Sequence, residues 1–287
     1  MGLGFSASPT YGGAWTFAQS LPAPAAAAPF VPVPAPRRRR FVSFNGRARP
    51  HRFLLALLMH SLGDLERSTF SLLGYDNART VDARSPDEQR YGLERLVRRA
   101  GLTDELLPHV DAFLARLPLE VDVKVADVGN AEVYAKRLEH GMPDTLWFDQ
   151  ACFHLVSETL FFSHDARFIT EKTFKAFAVQ NPFVLLAQPG TLGFARSLGL
   201  RSCGAAWDES YDDIEDDWQR LAECFAHVRW LSALGDAAAE ALVSRCSEAF
   251  EHNHRWFATG AFTEAVRRDL RERILPACFE ARGGARP

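Results

Sequence analysis

CFHLVSETLFFSHDARFITEKTFKAFAVQNPFVLLAQPGTLGFARSLGL spans residues 152–200 and alternates apolar runs with amphipathic runs. The pattern predicts a buried strand over 152–159, a helix over 169–181, a strand over 183–187 and a short helix over 189–199. Strands that alternate with helices are typical of a parallel sheet with crossover helices. The segment therefore predicts an α/β fold.

The residues before this segment repeat the same order. They predict a strand over 41–44, a helix over 50–62 and a strand over 69–74, which together have the size of one βαβ unit. Ser85, Pro86 and Glu88 form a capping-box start for a helix that Gly101 ends. Further predictions are a helix over 103–117, a strand over 119–128 and a helix over 131–140. We expect a Rossmann-like sheet with a helical C-terminal extension, in which an apolar stripe runs along the helices of about 213–275.

Composition divides the 287-residue chain unevenly. Its 47% apolar and 24% charged residues exclude a wholly disordered, collagen-like or disulfide-scaffold protein. Residues 1–63 hold seven arginines and no lysine or acidic residue. The Pro/Ala-rich run LPAPAAAAPFVPVPAP favours an extended, disordered arm over 1–36. We expect the Rossmann-like domain over 37–205 and the helical extension over 206–287.

Location and macromolecular partners follow from absent signals. No basic residue precedes the apolar part of the arm, and no apolar run approaches the length of a membrane span. Five scattered cysteines without a CxxC pair suggest reduced thiols, so we expect a cytoplasmic protein. The run Arg37 to Arg40 could contact phosphates, but one short cluster beside a linker is more typical of a solvated boundary. We therefore expect no specific nucleic-acid partner.

Candidate site residues gather at the carboxyl edge of the expected sheet. Ligands of open parallel sheets bind there, where helix N-termini attract anions. Ser157 and Glu158 end one strand, and Thr170, Glu171 and Lys172 start the next helix. A carboxylate can accept hydrogen bonds from the vicinal hydroxyls of a ribose, and an ammonium can neutralise a diphosphate. The alternative is an ordinary helix start with solvated charges.

Cations near that edge could complete a diphosphate site. Lys175 lies three residues after Lys172, on the same helix face. The cluster RARPHR supplies Arg47, Arg49 and Arg52 at the first strand-to-helix turn, where guanidinium groups suit bidentate phosphate contacts. Arg52 is favoured over Arg47 because it falls in the first helical turn. A solvated turn is the alternative.

These motifs resemble those of the α-1,3-fucosyltransferases, glycosyltransferases with two Rossmann-like domains (the GT-B architecture). LVSET followed by FITEKTFKAFAVQNPFVLLA is similar to that family's F-E-N-S strand end, T-E-K helix start and following strand. The likeness extends over about residues 40–225. It implies half of a GT-B architecture and a GDP-fucose-like donor, with Glu171 on the ribose and Lys172 on the phosphates. Glu158 falls on the family's first glutamate, and Thr170 on its threonine.

The resemblance leaves the catalytic machinery incomplete. The family's N-terminal acceptor domain, which supplies the base, has no counterpart in this chain. Glu158 and His164, the latter with Asp165, are the candidate catalytic residues. The acidic run 208–217 and the His252/His254 pair suit dipole, surface or capping roles better than metal binding, so no metal or other cofactor is expected.

The expected partners follow from the same comparison. They are the nucleotide-sugar donor, a glycan or other hydroxyl acceptor, and a protein that completes the acceptor site. The alternative functions are a non-catalytic nucleotide-sugar-binding or scaffold subunit, and a different phosphate-dependent enzyme on the same fold.

Overall fold

The computed structural model describes residues 14, 17, 18, 21, 29–46, 49–73, 85–121, 146–162 and 168–274. Residues 122–128 of the strand predicted over 119–128 lie outside these ranges, and so does the predicted helix over 131–140. None of the helices in the described ranges has the length and apolar character needed to cross a bilayer.

Four parallel strands form the centre of the fold. They are β1 (Arg39–Asn45), β2 (Thr69–Leu72), β3 (Ala151–Ser157) and β4 (Phe183–Leu186), in the order β2-β1-β3-β4. β1 pairs with β2 and with β3, and β3 pairs with β4, all in parallel. Every residue of β2, β3 and β4 is buried, as expected for a sheet covered on both faces. The predicted α/β class is confirmed.

Five α-helices of the described ranges precede β3 in the chain. They are α1 (Pro50–Ser61), α2 (Pro86–Arg99), α3 (Thr103–Leu106), α4 (Val110–Leu114) and α5 (Leu146–Asp149). Nine consecutive residues of α1, from His51 to Met59, are buried, so this helix is enclosed on all sides. The predicted capping box of α2 is confirmed, because Ser85 and Glu88 exchange side-chain to backbone hydrogen bonds.

The later helices are α6 (Glu171–Ala178), α7 (Thr191–Ser197), α8 (Asp217–Ala233), α9 (Asp236–Arg245), α10 (Ser247–Ala258) and α11 (Ala261–Asp269). α8 packs on β4 and α1, whereas α6 packs on β3 and α10. Right-handed crossovers place α1 and α6 on opposite faces, because β1–α1–β2 and β3–α6–β4 progress in opposite directions. Residues of α8, α9, α10 and α11 join the same hydrophobic core as the sheet.

Two predicted elements differ from the structure. The single helix expected over 103–117 is divided into α3, a 3₁₀ turn (Leu107–His109) and α4. Pro108 lies in that turn and has no N–H to donate, which breaks the α-helical hydrogen-bond pattern. Of the strand expected over 119–128, the described part contributes one antiparallel bridge between Leu119 and Leu72.

The described part of the N-terminal arm is attached to the domain, in contrast to the disordered arm predicted over 1–36. Phe17 is 0% exposed and its ring lies 5.5–6.1 Å from the rings of Phe174, Phe257 and Phe262. The backbone N–H of Val33 donates to the Gln180 side chain at 2.9 Å. These contacts fasten the arm to α6, α10 and α11. The domain boundaries stay a prediction.

The arginine run at the start of β1 binds the protein itself. Arg37 forms an ion pair with Glu240 of α9 at 2.7 Å. Arg40 donates to the carbonyl of Leu234 at 2.7 Å and pairs with Asp236 at 3.1 Å. Both side chains are nearly fully buried, at 5% and 4% exposure. The run therefore connects β1 to the start and middle of α9.

Candidate functional site

The candidate site lies between the carboxyl ends of β1 and β3. The strand order reverses there, because β1 connects outward to β2 and β3 connects outward to β4. α1 begins after β1, and α6 begins after β3. A crevice outside a reversal of this kind is the usual ligand site of open parallel sheets.

Two buried oxygens at this reversal have no hydrogen-bond partner among the described residues. Asn45, the last residue of β1, is 0% exposed and has an unpartnered Oδ1. Ser157, the last residue of β3, is 3% exposed and has an unpartnered Oγ. The Asn45 Nδ2 donates to Ser43 Oγ at 3.0 Å, which fixes the orientation of the amide. Buried polar atoms are normally satisfied, so this pair indicates a place for a ligand or a bound water.

The start of α6 carries the predicted ribose and phosphate residues. Thr170 caps the helix by accepting a hydrogen bond from the backbone N–H of Lys172. Lys172 Nζ pairs with Glu171 Oε1 at 3.2 Å, and the two side chains are 32% and 27% exposed. Both charges are therefore accessible at a helix N-terminus, where an anion is also stabilised by the helix dipole.

Lysines around Glu171 control its ionisation. Burial raises the pKa of Glu171, but the positive charges of Lys172 and Lys175 lower it by more, so the net shift of this pKa is downward. Burial also lowers the pKa of Lys175, with a further contribution from Lys172 and partial opposition from Glu171. The charges of the three side chains, all on α6, therefore influence one another.

Glu158 holds α6 in position. Its side chain is completely buried, and Oε1 accepts hydrogen bonds from the backbone N–H of Thr170 at 2.9 Å and of Thr173 at 3.3 Å. The hydroxyls of Thr170 and Thr173 also donate to this carboxylate, and the Thr159 N–H donates to Oε2 at 3.1 Å. Both oxygens are occupied, which fits a positioning role better than the catalytic role predicted from the sequence.

Arg52 and His51 secure the end of β3. Arg52 is 2% exposed and donates to the carbonyls of Ser157 at 2.9 Å and Glu158 at 3.0 Å. The His51 Nε2 donates to the carbonyl of Glu158 at 2.9 Å. Burial, reinforced by the charge of Arg52, lowers the pKa of His51 to about 3, so the ring is neutral. Arg52 thus faces protein carbonyls, in contrast to the predicted phosphate contact.

The remaining predicted residues divide into two groups. Arg49 is the N-cap residue of α1, is half-buried, and has an Nε without a partner among the described residues. Of the two arginines of the RARPHR cluster that the structure describes, Arg49 is the more exposed. Arg47 and His164 lie outside the described residues, so their roles stay predictions.

An aromatic wall, which sequence reasoning missed, borders the same edge. His51 stacks on Phe161 at 5.4 Å, Phe161 contacts Phe162 at 5.0 Å, and Phe162 contacts Trp218 at 4.7 Å between ring centroids. The guanidinium of Arg99 lies 5.2 Å from the Trp218 ring centre. Phe162 and Trp218 are half-buried, so part of each ring is accessible. The only sequence signal was the pair of phenylalanines three residues after Glu158.

Metal ligands do not converge in the described ranges, where no group of three His, Cys, Asp or Glu side chains forms a potential site. Comparisons with protein families, with curated proteins and with solved structures found no match.

Proposed function

We propose that the chain binds a nucleoside-diphosphate sugar at the carboxyl edge of its sheet and acts as a fucosyltransferase-like glycosyltransferase, with a GDP-sugar as the favoured donor. The observation that carries the proposal is the Glu171–Lys172 pair at the start of α6, next in the fold to the unpartnered oxygens of Asn45 and Ser157 at the strand reversal.

Each charged group has a part of the donor to bind. Lys172 and the N-terminus of α6 neutralise the diphosphate, and the lowered pKa of Glu171 keeps its carboxylate ionised to accept from ribose hydroxyls. A leaving diphosphate gains negative charge in the transition state, so cations at this point also assist transfer. Arg49 supplies a further guanidinium from the opposite helix start.

The aromatic wall supplies a surface for the nucleobase. Half-buried Phe162 and Trp218 offer ring faces and edges beside the crevice. Stacking of a base on an aromatic side chain contributes about 1–3 kcal/mol. Trp218→Leu is therefore expected to weaken binding of a nucleotide more than binding of pyrophosphate.

A second candidate function is nucleotide-sugar binding without transfer. The observation that favours it is the state of Glu158, whose two oxygens are both engaged by α6 and Thr159. This carboxylate cannot serve as a base without losing those contacts. A binding subunit would then depend on a partner protein for the acceptor and the base.

Binding is tested by calorimetric titration with GDP-, UDP- and CDP-sugars. Saturable binding is expected, and Lys172→Ala or Glu171→Gln should weaken it by about 1–3 kcal/mol each, the range for a lost charged hydrogen bond. Glu251→Gln, an exposed change on α10, is the matched control and should leave affinity unchanged. Absence of binding to all three donors refutes the proposal.

Turnover separates the two candidate functions. Release of GDP from a bound GDP-sugar in the presence of glycan acceptors supports the transferase. His164→Ala should then abolish release while the affinity for the donor stays the same, because a base acts on the acceptor hydroxyl. Donor binding with no release under any acceptor supports the binding subunit.

A further inference from the structure

A second cavity, of about 550 Å³, lies away from the carboxyl edge. It forms where the loop after α7 meets the junction of α9 and α10. α7 follows β4 and runs back along the sheet, so the end of α7 and the loop after it lie toward the start of β4. The cavity is therefore beside the amino edge of the sheet, and it shares no residue with the nucleotide-sugar site.

Three arginines from three different elements line this cavity, which we name the arginine cavity: Arg196 at the end of α7, Arg201 in the loop, and Arg245 at the end of α9. Arg245 donates to the carbonyl of Ala205 through one of its nitrogens. The Arg201 guanidinium has no hydrogen-bond or ion-pair partner within the described ranges. It is the cation that is ready to bind a ligand.

Two carboxylates line the cavity, Glu209 and Glu248, and only that of Glu248 is available to oppose these charges. Glu209 is 5% exposed and is held by Arg196 at 2.5 Å, by the Ser202 hydroxyl at 2.5 Å and by the Cys203 N–H at 3.1 Å. Its charge is thus compensated by Arg196. Glu248, exposed in the first turn of α10, remains against Arg201 and Arg245. The cavity has a net positive charge and favours an anion.

Side chains of α10 fix the loop that carries Arg201. Trp256 Nε1 donates to the carbonyl of Leu198 at 2.9 Å, and His252 Nε2 donates to the carbonyl of Gly199 at 2.8 Å. Buried Asn253 bonds both the N–H and the carbonyl of Arg201, at 2.9 and 2.8 Å. A recognition site gains affinity when its groups are held in place before the ligand arrives. The Arg201 backbone meets this condition.

The chemistry of the walls indicates the class of ligand. Guanidinium groups match the oxygens of a phosphate in bidentate geometry. The cavity lies within the size range of small-molecule sites, about 300–1,000 Å³, so it has room for an organic body beyond the anion. Glu248 is an acceptor for hydroxyl groups on that body, and buried Leu200 supplies an apolar wall.

We propose that the arginine cavity binds a small phosphate monoester that carries hydroxyl groups, of the sugar-phosphate class. Arg201 and Arg245 bind the phosphate, and Glu248 accepts from the hydroxyls. This site is separate from the proposed nucleotide-sugar site and does not depend on it.

The test is calorimetric titration of the full chain with ribose 5-phosphate, with ribose and inorganic phosphate as separate probes. The Lys172→Ala variant is used as the background, so that the nucleotide-sugar site contributes little. Saturable binding of ribose 5-phosphate is expected, with affinity at least about tenfold lower in Arg201→Gln, the effect of losing a charged hydrogen bond. Arg95→Gln, an exposed change on α2, is the matched control and should keep the affinity.

Three results would overturn the proposal. They are no saturable binding of ribose 5-phosphate at millimolar concentration, equal affinity in Arg201→Gln and the background protein, and equal affinity for inorganic phosphate and ribose 5-phosphate. Thermal unfolding of each variant accompanies the titration. Because the α10 contacts involve only the backbone of residue 201, Arg201→Gln is expected to unfold at the same temperature as its background.

Discussion

Removal of the Glu158 carboxylate is expected to destabilise the fold strongly. In Glu158→Ala the buried backbone N–H groups of Thr170 and Thr173 lose their acceptor. Each buried donor left without a partner costs about 1–3 kcal/mol, so the free energy of unfolding should fall by about 2–6 kcal/mol. The lost interaction of the negative charge with the N-terminus of α6 acts in the same direction.

A conservative variant tests the same geometry more finely. Glu158→Gln keeps one oxygen for the Thr170 and Thr173 amides, but its NH₂ group replaces the oxygen that accepts from the Thr159 N–H at 3.1 Å. One donor is then left facing another donor, and the expected cost is about 1–3 kcal/mol. Glu251→Ala, an exposed change, should stay within about 0.5 kcal/mol of the parent chain.

Urea unfolding followed by circular dichroism measures these differences, with unchanged m-values as the check on two-state comparison. The free energy of unfolding is expected to be lowest for Glu158→Ala, intermediate for Glu158→Gln and highest for the parent chain. If Glu158→Ala unfolded within about 0.5 kcal/mol of the parent, the carboxylate would not be buried against α6, and the positioning role would be refuted.

Three further predictions concern packing and pH. Gly199→Ala should lower the free energy of unfolding by about 2–4 kcal/mol, because residue 199 has φ +87° and an added Cβ would clash with the indole ring of Trp256. Gly101→Ala, at φ +68° with open space around it, should lower the free energy of unfolding by only about 1–2 kcal/mol in the same thermal unfolding experiment. Phe17→Ala should destabilise by about 3–5 kcal/mol if the arm is docked, whereas a disordered arm would give no change. His51 and His154 have pKa values lowered to about 3 by burial, from the ordinary 6.5, so the unfolded chain binds more protons between those values. The free energy of unfolding should therefore fall as pH drops from about 6.5 toward 3, by up to about 1.4 kcal/mol per pH unit for each histidine. In urea titrations at several pH values, His51→Gln should show a smaller dependence of this free energy on pH. An unchanged dependence would contradict the burial of the His51 ring.

Local signals predicted the elements whose ends are set by neighbouring residues. The capping box of Ser85 and Glu88 and the N-cap of Thr170 depend on hydrogen bonds within one helical turn, and both are present in the structure. Pro108 is an equally local signal against a continuous helix over 103–117, and the prediction of that helix did not include it. The docking of Phe17 was not predictable, because its partners lie more than 150 residues away in the chain.

The site was predicted in location but not in the direction of its side chains. Glu171 and Lys172 lie at the start of α6, as expected, and both side chains are partly exposed. Glu158 and Arg52 were expected to meet the substrate, yet both are turned into the protein. The position of a residue at a strand end or helix start indicates the edge it occupies. It does not indicate whether protein groups from another element compete for its charge.

The competing groups at this edge are backbone carbonyls. Where parallel strands end, their last carbonyls leave the ladder and need donors in a buried place. Arg52 supplies donors to the end of β3, and Arg220, 1% exposed, does the same for Ala187 just after β4 at 3.0 Å. Arg220 also donates to the carbonyls of Ile214 at 2.6 Å and Phe161 at 3.2 Å. A guanidinium has five donors in one plane, so it can serve several carbonyls that no single backbone N–H could reach together.

This use of arginine changes how the cations of the crevice are assigned. The two arginines buried deepest at the edge, Arg52 and Arg220, stabilise the strand ends and leave their charge in the protein. Charge for a diphosphate must then come from the less buried groups, Lys172 and Arg49, and from the start of α6. Replacement of Arg52 should consequently act on folding, whereas replacement of Lys172 should act on affinity. The two effects are separable because the Lys172 ammonium hydrogen-bonds only with Glu171 and Thr170 among the described residues.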